Sequence, residues 1–286
     1  MQPTVKRLTP EDHSRDSAGL TYVYPVVSRR AGGLSIGINL NPNNACNWRC
    51  LYCQVPALKR GSAPAIDLPK LEQELRGFLH ELIYGRFMQE KVPPEARVIH
   101  DIALSGNGEP TSAQEFEQVI RVIGEVKDEF PLPDTLKVIL ITNGSLIHRE
   151  TVQNGLGRLA QLNGEIWFKL DSVTKAGRLQ VNNTRMSLAR MRENLCLAAS
   201  LCPTWLQTCV FKLDEAPPAQ TELDAYISFV DALLRDGVQI KGVLLYTLAR
   251  PSLQPEAARL SKISEEWMET FAARIKALGI PVNVTP

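Results

Sequence analysis

The alternation of short apolar segments with longer amphipathic segments limits what this chain can fold into more than any other feature. Apolar segments with the length and composition of buried strands lie at 35–40, 98–104, 137–141 and 165–170. A segment with apolar residues at helical spacing follows each of them, as in 68–90. Apolar strands that alternate with helices are typical of a parallel sheet covered by helices. The sequence therefore predicts the α/β class, with roughly six strand–helix units.

The remaining predicted elements complete this alternation. Further strands are expected at 206–213 and 241–246, with a short edge strand at 282–284. The predicted helices are 68–90, 112–129, 149–162, 187–201, 220–236 and 262–278. We assign 1–30 to an N-terminal extension and 31–286 to one domain. In such sheets the chemistry lies in loops at the carboxyl ends of the strands, so polar motifs there are the candidates for a site.

The charge balance argues against some partners. The 286 residues carry 32 lysines and arginines against 31 aspartates and glutamates, a net charge of +1. Nucleic-acid-binding proteins usually carry a basic domain or stripe, and the sequence shows neither. No run of about 18 apolar residues is present, and the N-terminus lacks the apolar core of a secretory signal. We therefore expect a cytoplasmic protein without a membrane partner.

Three cysteines, Cys46, Cys50 and Cys53, follow the first predicted strand in a C-x3-C-x2-C pattern. A loop with this spacing can bring three thiolates to one small centre. Three ligands leave one position open, which a catalytic site needs and a structural zinc site avoids. Because iron–sulfur clusters are held by cysteine thiolates, the pattern favours a [4Fe–4S] cluster with one open iron. The alternatives are zinc, for which no fourth ligand lies nearby in sequence, and three unrelated buried thiols.

This loop, with Tyr52 before its third cysteine, resembles that of the radical S-adenosylmethionine (SAM) superfamily. Within the superfamily, proteins related to wyosine-forming tRNA synthases are similar in the stretches PVVSRRAGGLSIGINLNP, LSGNGEPT, ITNGS, FKLDS and LLYTLARPS. The resemblance extends from about residue 24 to the C-terminus. It implies a partial (β/α)6 barrel, laterally open, with a [4Fe–4S] cluster on the three cysteines and SAM beside Tyr52.

Two further loops carry candidate cofactor residues. The segment 106–111, GNGEPT, follows the second predicted strand, and its glycines allow a ligand to approach the backbone. The resemblance implies that it holds the SAM amino group through Gly106, Asn107, Gly108 and Glu109, with Asn107 replacing the usual middle glycine. Thr142 and Asn143 follow the third predicted strand, where they can present polar groups to the cofactor ribose.

Lys169 and Asp171 are the candidate catalytic residues. They bracket Leu170 at the end of the fourth predicted strand, so alternation places them on one face. A salt bridge that closes the barrel is the alternative. Weaker candidates for a substrate site are Asn182, Asn183, Arg185, Gln207, Cys209, Tyr246, Arg250 and, at the barrel entrance, Arg29 and Arg30. Cys196, Cys202 and Cys209 are expected to be core thiols rather than a second cluster.

The resemblance implies reductive cleavage of SAM to a 5′-deoxyadenosyl radical, which abstracts hydrogen from a substrate. It also implies an external one-electron donor such as a flavodoxin or ferredoxin. The favoured substrate is a small molecule or a protein segment, because the charge is nearly neutral. tRNA modification of the wyosine type is the alternative. A non-catalytic iron–sulfur redox protein is a third hypothesis, although such a protein has no need of Glu109.

Overall fold

Short strands and helices alternate along the chain, and the computed structural model describes them over residues 8–9, 19–28 and 32–286. The strands are β1 (Val23–Ser28), β2 (Gly33–Ile38), β3 (Ala45–Cys46), β4 (Lys59–Arg60), β5 (Ile99–Leu104), β6 (Lys137–Thr142), β7 (Gly164–Lys169), β8 (Thr204–Cys209), β9 (Lys212–Leu213), β10 (Ile240–Tyr246), β11 (Leu260–Ser261) and β12 (Val282–Thr285). The helices are α1 (Leu68–Tyr84), α2 (Phe87–Lys91), α3 (Phe116–Asp128), α4 (Glu150–Gln161), α5 (Lys175–Asn182), α6 (Leu188–Leu201), α7 (Gln220–Arg235) and α8 (Glu265–Lys276). Short 3-10 turns occupy Pro94–Ala96, Pro110–Ser112 and Ala257–Arg259.

Eight of the strands form one curved sheet in the order β1-β2-β5-β6-β7-β8-β10-β12. β1 runs antiparallel to β2, and every other neighbouring pair is parallel. The order ends at β1 and β12, so the described sheet does not close on itself. The predicted α/β class and the laterally open partial barrel are therefore confirmed. β12 pairs at the edge of the sheet, as expected for 282–284.

The two faces of the sheet have different chemistry because side chains alternate along each strand. Ile36, Ile102, Val138 and Ile166 belong to the hydrophobic core and are fully buried. The residues between them face the interior of the barrel and are largely polar or aromatic, including Ser35, Asp101, Trp167 and Gln207. The helices thus stabilise one face of the sheet and leave the other for a binding cavity.

One ion cluster joins three strands across the barrel. Glu165 Oε1 on β7 accepts hydrogen bonds from Lys137 Nζ on β6 at 2.5 Å and from Lys241 Nζ on β10 at 2.8 Å. Glu165 itself is buried, although both lysines are partly exposed. Burial alone would raise the pKa of this carboxyl, but the two lysines lower it below its ordinary value. The carboxylate is therefore charged at neutral pH.

Apart from the two-residue strands β3, β4 and β11, which were not predicted, the structure differs from the predicted elements chiefly in four places. β1 lies within the predicted N-terminal extension, and the division at residue 30 itself stays a prediction. The predicted helix 68–90 breaks after Tyr84, where the Glu81 carboxylate accepts from the Arg86 amide. The helix α5 was not predicted, because only eight residues form it and few are apolar. The predicted strand 206–213 ends at Cys209, and β9 pairs instead with β11.

No helix in the described part of the chain is long and apolar enough to cross a membrane.

Candidate active site

A cavity of about 300 Å³ lies inside the curved sheet, and loops at the carboxyl ends of the strands form much of its wall. Ten of the predicted site residues line it: Cys46, Cys50, Tyr52, Cys53, Gly106, Asn107, Gly108, Glu109, Asn143 and Lys169. The other two contact lining residues. Thr142 Oγ1 donates to Glu109 Oε1 at 2.6 Å, and the Tyr52 hydroxyl donates to Asp171 Oδ2 at 2.5 Å. The structure thus brings all twelve to one place.

The cysteine loop, 41–61, is held by short strands at its ends and by hydrogen bonds from distant loops. β3 pairs with β4, which brings the chain back beside Cys46. The segment 250–256, which we call the clasp, fastens the other side of the loop. Leu253 donates its amide proton to the Cys53 carbonyl at 2.9 Å, and Gln254 Nε2 reaches the carbonyls of Cys53 and Val55 at 3.3 and 3.2 Å. The loop conformation therefore depends on residues that follow β10.

The three thiols of this loop are half-buried. Burial raises the pKa of Cys46 to about 12 and the pKa of Cys50 to about 11. The Trp48 amide donates to Cys46 Sγ at 3.4 Å, and Asn182 Nδ2 donates to Cys50 Sγ at 3.3 Å. Without a metal the thiols of Cys46 and Cys50 are protonated at neutral pH, so a metal centre must displace their protons when it binds.

Asparagines that the sequence analysis did not single out connect the cysteine loop to its neighbours. Asn39 Oδ1 accepts the amide protons of Asn41 and Asn107, both at 3.0 Å. Asn47 Oδ1 accepts from Asn143 Nδ2 at 2.8 Å. The sequence feature that could have indicated these contacts is the presence of five asparagines between residues 39 and 47. Asparagine side chains readily form hydrogen bonds with the backbone of loops.

The turn at 106–109 packs directly against the cysteine loop. Gly106 has φ of +151°, and a Cβ there would lie 2.4 Å from Asn39 Oδ1. A Cβ on Gly108 would lie 2.0 Å from the Ala45 carbonyl oxygen, so no other residue fits without movement. Asn107 is not left-handed; its amide group instead donates to Asn44 Oδ1 at 2.7 Å. The Asn107 side chain thereby joins the turn to the cysteine loop.

Glu109 is buried between this turn and the end of β6. Its Oε1 accepts from the Thr111 and Thr142 hydroxyls, both at 2.6 Å, and its Oε2 accepts from the Asn143 amide at 2.7 Å. Burial raises the pKa of Glu109, and these hydrogen bonds oppose the rise. Thr142 therefore reaches the site through Glu109, whereas Asn143 both lines the cavity and bonds to Glu109. Oε2 accepts one hydrogen bond from the described residues, which leaves it a second acceptor position.

Tyr52 connects the two predicted catalytic residues. Its hydroxyl donates to Asp171 Oδ2 and accepts a hydrogen bond from Lys169 Nζ at 3.3 Å. Among the described residues Lys169 and Asp171 form no direct ion pair. Burial opposes the charge on Lys169, yet the surrounding acidic groups, Tyr246 and Asp171 first, raise its pKa above the ordinary value. Lys169 is therefore a cation on the cavity wall at neutral pH.

The weaker candidates fall into separate groups. Gln207, Cys209, Tyr246 and Arg250 line the cavity, and Cys209 is also buried in a small hydrophobic cluster, as expected of a core thiol. Asn182 is buried beside Cys50 rather than in a solvated loop, and Arg185 is exposed. Cys202 belongs to the hydrophobic core, and half-buried Cys196 packs against it. Arg29 and Arg30 lie outside the described residues.

Two buried oxygens on the cavity wall suit a polar ligand. Asn107 Oδ1 and Gln207 Oε1 have no hydrogen-bond partner among the described residues. Buried acceptors of this kind normally receive a hydrogen bond, and a ligand with amino and hydroxyl groups, such as SAM, can donate them. No three Cys, His, Asp or Glu side chains of the described chain are grouped for a single metal ion. In an iron–sulfur cluster each thiolate binds a different iron, so the thiols need not converge on a single ion. The three cysteine thiols on the cavity wall are therefore suitable ligands for a cluster.

Comparison with known proteins gives distant sequence matches. No protein-family model matches the chain. The GTPase Obg of Brachyspira hyodysenteriae is 25% identical over 224 residues, which are 76% of this chain and 29% of that protein. The UPF0026 protein MJ1312 of Methanocaldococcus jannaschii is 29% identical over 165 residues, 57% of this chain and 44% of that protein. The chain therefore spans less than half the length of either curated relative.

Solved structures are similar over most of the chain. A radical SAM methyltransferase from Sphaerobacter thermophilus has a TM-score of 0.59 at 16% identity, covering 88% of this chain and 66% of that one. TYW1 with a lysine-pyruvate adduct bound has a TM-score of 0.58 at 12% identity, covering 85% of this chain and 73% of that one. SuiB of Streptococcus suis bound to S-adenosylmethionine has a TM-score of 0.54 at 12% identity, covering 89% of this chain and 47% of that one. The chain has the fold of the radical SAM enzymes.

Proposed function

We propose that the protein is a radical SAM enzyme that binds a [4Fe–4S] cluster and SAM in the cavity and abstracts hydrogen from a substrate. The observation that carries this proposal is that separate segments of the chain meet at one cavity. The three-cysteine loop, the Gly106–Glu109 turn and Asn143 come from separate parts of the sequence, yet all line one cavity at the carboxyl ends of parallel strands. Neither a buried structural thiol nor a closed zinc site requires this arrangement.

The chain's own residues have separate tasks in this proposal. Cys46, Cys50 and Cys53 would hold the cluster, and SAM would bind beside it through its amino and carboxylate groups. Glu109 Oε2 would accept a hydrogen bond from the N–H of the SAM amino group. When bound, the cluster and SAM supply an electron and a carbon radical that removes hydrogen from the substrate. The curved sheet excludes water from that radical, which limits side reactions.

Lys169 and Asp171 are proposed to act at the substrate side of the cavity. The charged amine of Lys169 can position an anionic group, and Asp171 holds the Tyr52 hydroxyl that receives its hydrogen bond. TYW1 carries a lysine-pyruvate adduct in its structure. For Lys169 we favour ion pairing over such an adduct, because its amine already donates to the Tyr52 hydroxyl that Asp171 holds.

The alternatives to this proposal differ from it in substrate or in whether SAM is cleaved. tRNA modification of the wyosine type uses the same cofactors and differs in its substrate. A non-catalytic iron–sulfur protein would bind the cluster without cleaving SAM. GTP hydrolysis is not proposed: the sequence contains no Gly-Lys dipeptide, so it lacks the phosphate loop of such enzymes. In either radical SAM case the electron comes from a partner such as a flavodoxin or ferredoxin.

The test is product formation by the reconstituted protein. The chain is loaded anaerobically with iron and sulfide, reduced with dithionite and given SAM. We expect 5′-deoxyadenosine in chromatography of the products, and none from a Cys50→Ala variant treated in the same way. A wild-type protein that carries the cluster and never yields 5′-deoxyadenosine would support the non-catalytic alternative.

A further inference from the structure

The side-chain amide of Asn182 lies between a predicted cluster ligand and a predicted catalytic residue. Asn182 Nδ2 is 3.3 Å from Cys50 Sγ and 2.6 Å from Asp171 Oδ2. An asparagine amide carries two N–H groups, so it can donate to both acceptors at once. The residue is 1% exposed, which removes water as a competitor for either bond.

The backbone holds Asn182 in this place. It is the last residue of α5, and its carbonyl accepts the Arg49 amide proton at 3.2 Å. The preceding carbonyl, of Val181, accepts the Leu51 amide proton at 2.8 Å. The end of α5 is therefore bonded to the residues immediately before and after Cys50. Both of these acceptors are main-chain carbonyls, so a side-chain substitution at Asn182 removes neither bonding group.

Asp171 fixes which way the amide of Asn182 points. Asp171 Oδ1 accepts the Cys209 amide proton at 2.9 Å, and Oδ2 accepts from both Tyr52 and Asn182. Because Asp171 accepts only, the nitrogen of Asn182 must face it, and the second N–H is then directed at sulfur.

We infer that Asn182 is a positioning residue that sets the reduction potential of a cluster bound at Cys50. The inference rests on the proposed function. A hydrogen bond to a cluster thiolate stabilises the negative charge that grows when the cluster gains an electron. The bond therefore favours the reduced cluster, and its loss makes reduction harder. Asn182 is not expected to ligate iron or to contact the substrate.

The experiment compares reduction potentials of reconstituted proteins. Asn182→Leu keeps the size of the side chain and removes both donors, whereas Gln180→Ala changes an exposed side chain on the same helix. The readout is an anaerobic redox titration with dithionite, followed by electron paramagnetic resonance. For Asn182→Leu we expect the ratio of reduced to oxidised cluster at a fixed potential to fall about tenfold, a shift of about 59 mV for one electron. Gln180→Ala should match the wild type.

Several outcomes decide the inference. An Asn182→Leu protein with full iron content and an unchanged potential would overturn it. If that variant binds no cluster, Asn182→Ala carries the test, because the smaller side chain fits the same space, lacks both donors and changes no charge. A lowered potential in Asn182→Ala supports the inference and an unchanged one contradicts it. If the wild-type protein takes up no iron and sulfide during reconstitution, the proposed function itself is contradicted. Iron analysis before the titration shows whether this is the case.

Discussion

The Ser252 hydroxyl donates to the carbonyl oxygen of Leu51 across 2.6 Å, although 201 positions separate these residues in the sequence. The same hydroxyl lies 3.2 Å from the Cys53 carbonyl oxygen and also accepts the Gln254 amide proton at 3.0 Å. Ser252 and Gln254 are both buried. The clasp therefore fixes the backbone around the second and third cysteines, and its loss should loosen the cysteine loop.

Gln254→Ala should destabilise the protein, because the carbonyls of Cys53 and Val55 lose a donor in a buried place. The expected cost is about 1–3 kcal/mol, seen as a lower Tm in thermal unfolding of the metal-free chain. The reconstituted variant should also lose iron to a chelator faster than the wild type. Gln239→Ala, which changes an exposed glutamine, is the control and should leave both measurements unchanged. Equal chelation rates in Gln254→Ala and wild type would show that the clasp does not hold the loop.

Replacement of Cys46, Cys50 or Cys53 by Ala should abolish the cluster. We expect about four irons per chain in the wild type and close to none in each variant, measured by iron and sulfide analysis. Cys196→Ala is the matched control because this thiol is on α6 and outside the cavity lining. Bound zinc without sulfide in the native protein would favour the zinc alternative instead.

Glu109→Ala should weaken SAM binding and leave the cluster in place. The lost contact is charge-assisted, so we expect about 1.5–3 kcal/mol, or a ten- to hundredfold lower affinity in calorimetry. Because Glu109 also bonds Thr111, Thr142 and Asn143, Glu109→Gln is the better-folded comparison. It keeps the size and loses the charge. Wild-type affinity in both clustered variants would remove Glu109 from the SAM site.

Binding of tRNA should be weak, with a Kd no better than the ~10⁻⁴–10⁻⁶ M of non-specific binding at physiological salt. Basic residues near the cysteine loop are partly neutralised: Arg49 pairs with Glu256 at 2.8 Å, and Arg259 pairs with Asp214 at 2.6 Å. Arg60 is exposed but donates to backbone carbonyls. Filter binding across a salt series is the measurement. Submicromolar affinity with a steep salt dependence would make the wyosine-type alternative the leading hypothesis.

Local sequence patterns were enough to place most of the parallel strands and the residues that follow them. Glu109, Asn143 and Lys169 were all expected at or just after the carboxyl ends of predicted parallel strands. Because the carboxyl ends of parallel strands lie at the same edge of a sheet, this was enough to place the three residues in one region. β1 was missed because Pro25 weakens the strand pattern, and proline within a strand is typical of an edge, where β1 indeed lies.

The roles of Asn182, Ser252 and Gln254 were beyond prediction for a different reason. Each acts through a hydrogen bond to a residue that is distant in the sequence, and no local pattern encodes such a partner. Asn182 reaches a thiol 132 positions earlier. Contacts of this kind depend on how the loops of different strand–helix units meet, which only the assembled fold determines.

The link from Lys137 through Glu165 to Lys241 joins strands that share no backbone hydrogen bonds. β6 and β10 are not neighbours, since β7 and β8 lie between them, yet both lysines reach the same oxygen of Glu165. One buried carboxylate therefore connects β10 to β6 and β7 by charge, whereas the ladder of the sheet connects only adjacent strands. Its loss would leave two lysine ammonium groups close together without the carboxylate between them, so the charge balance at this end of the sheet depends on Glu165.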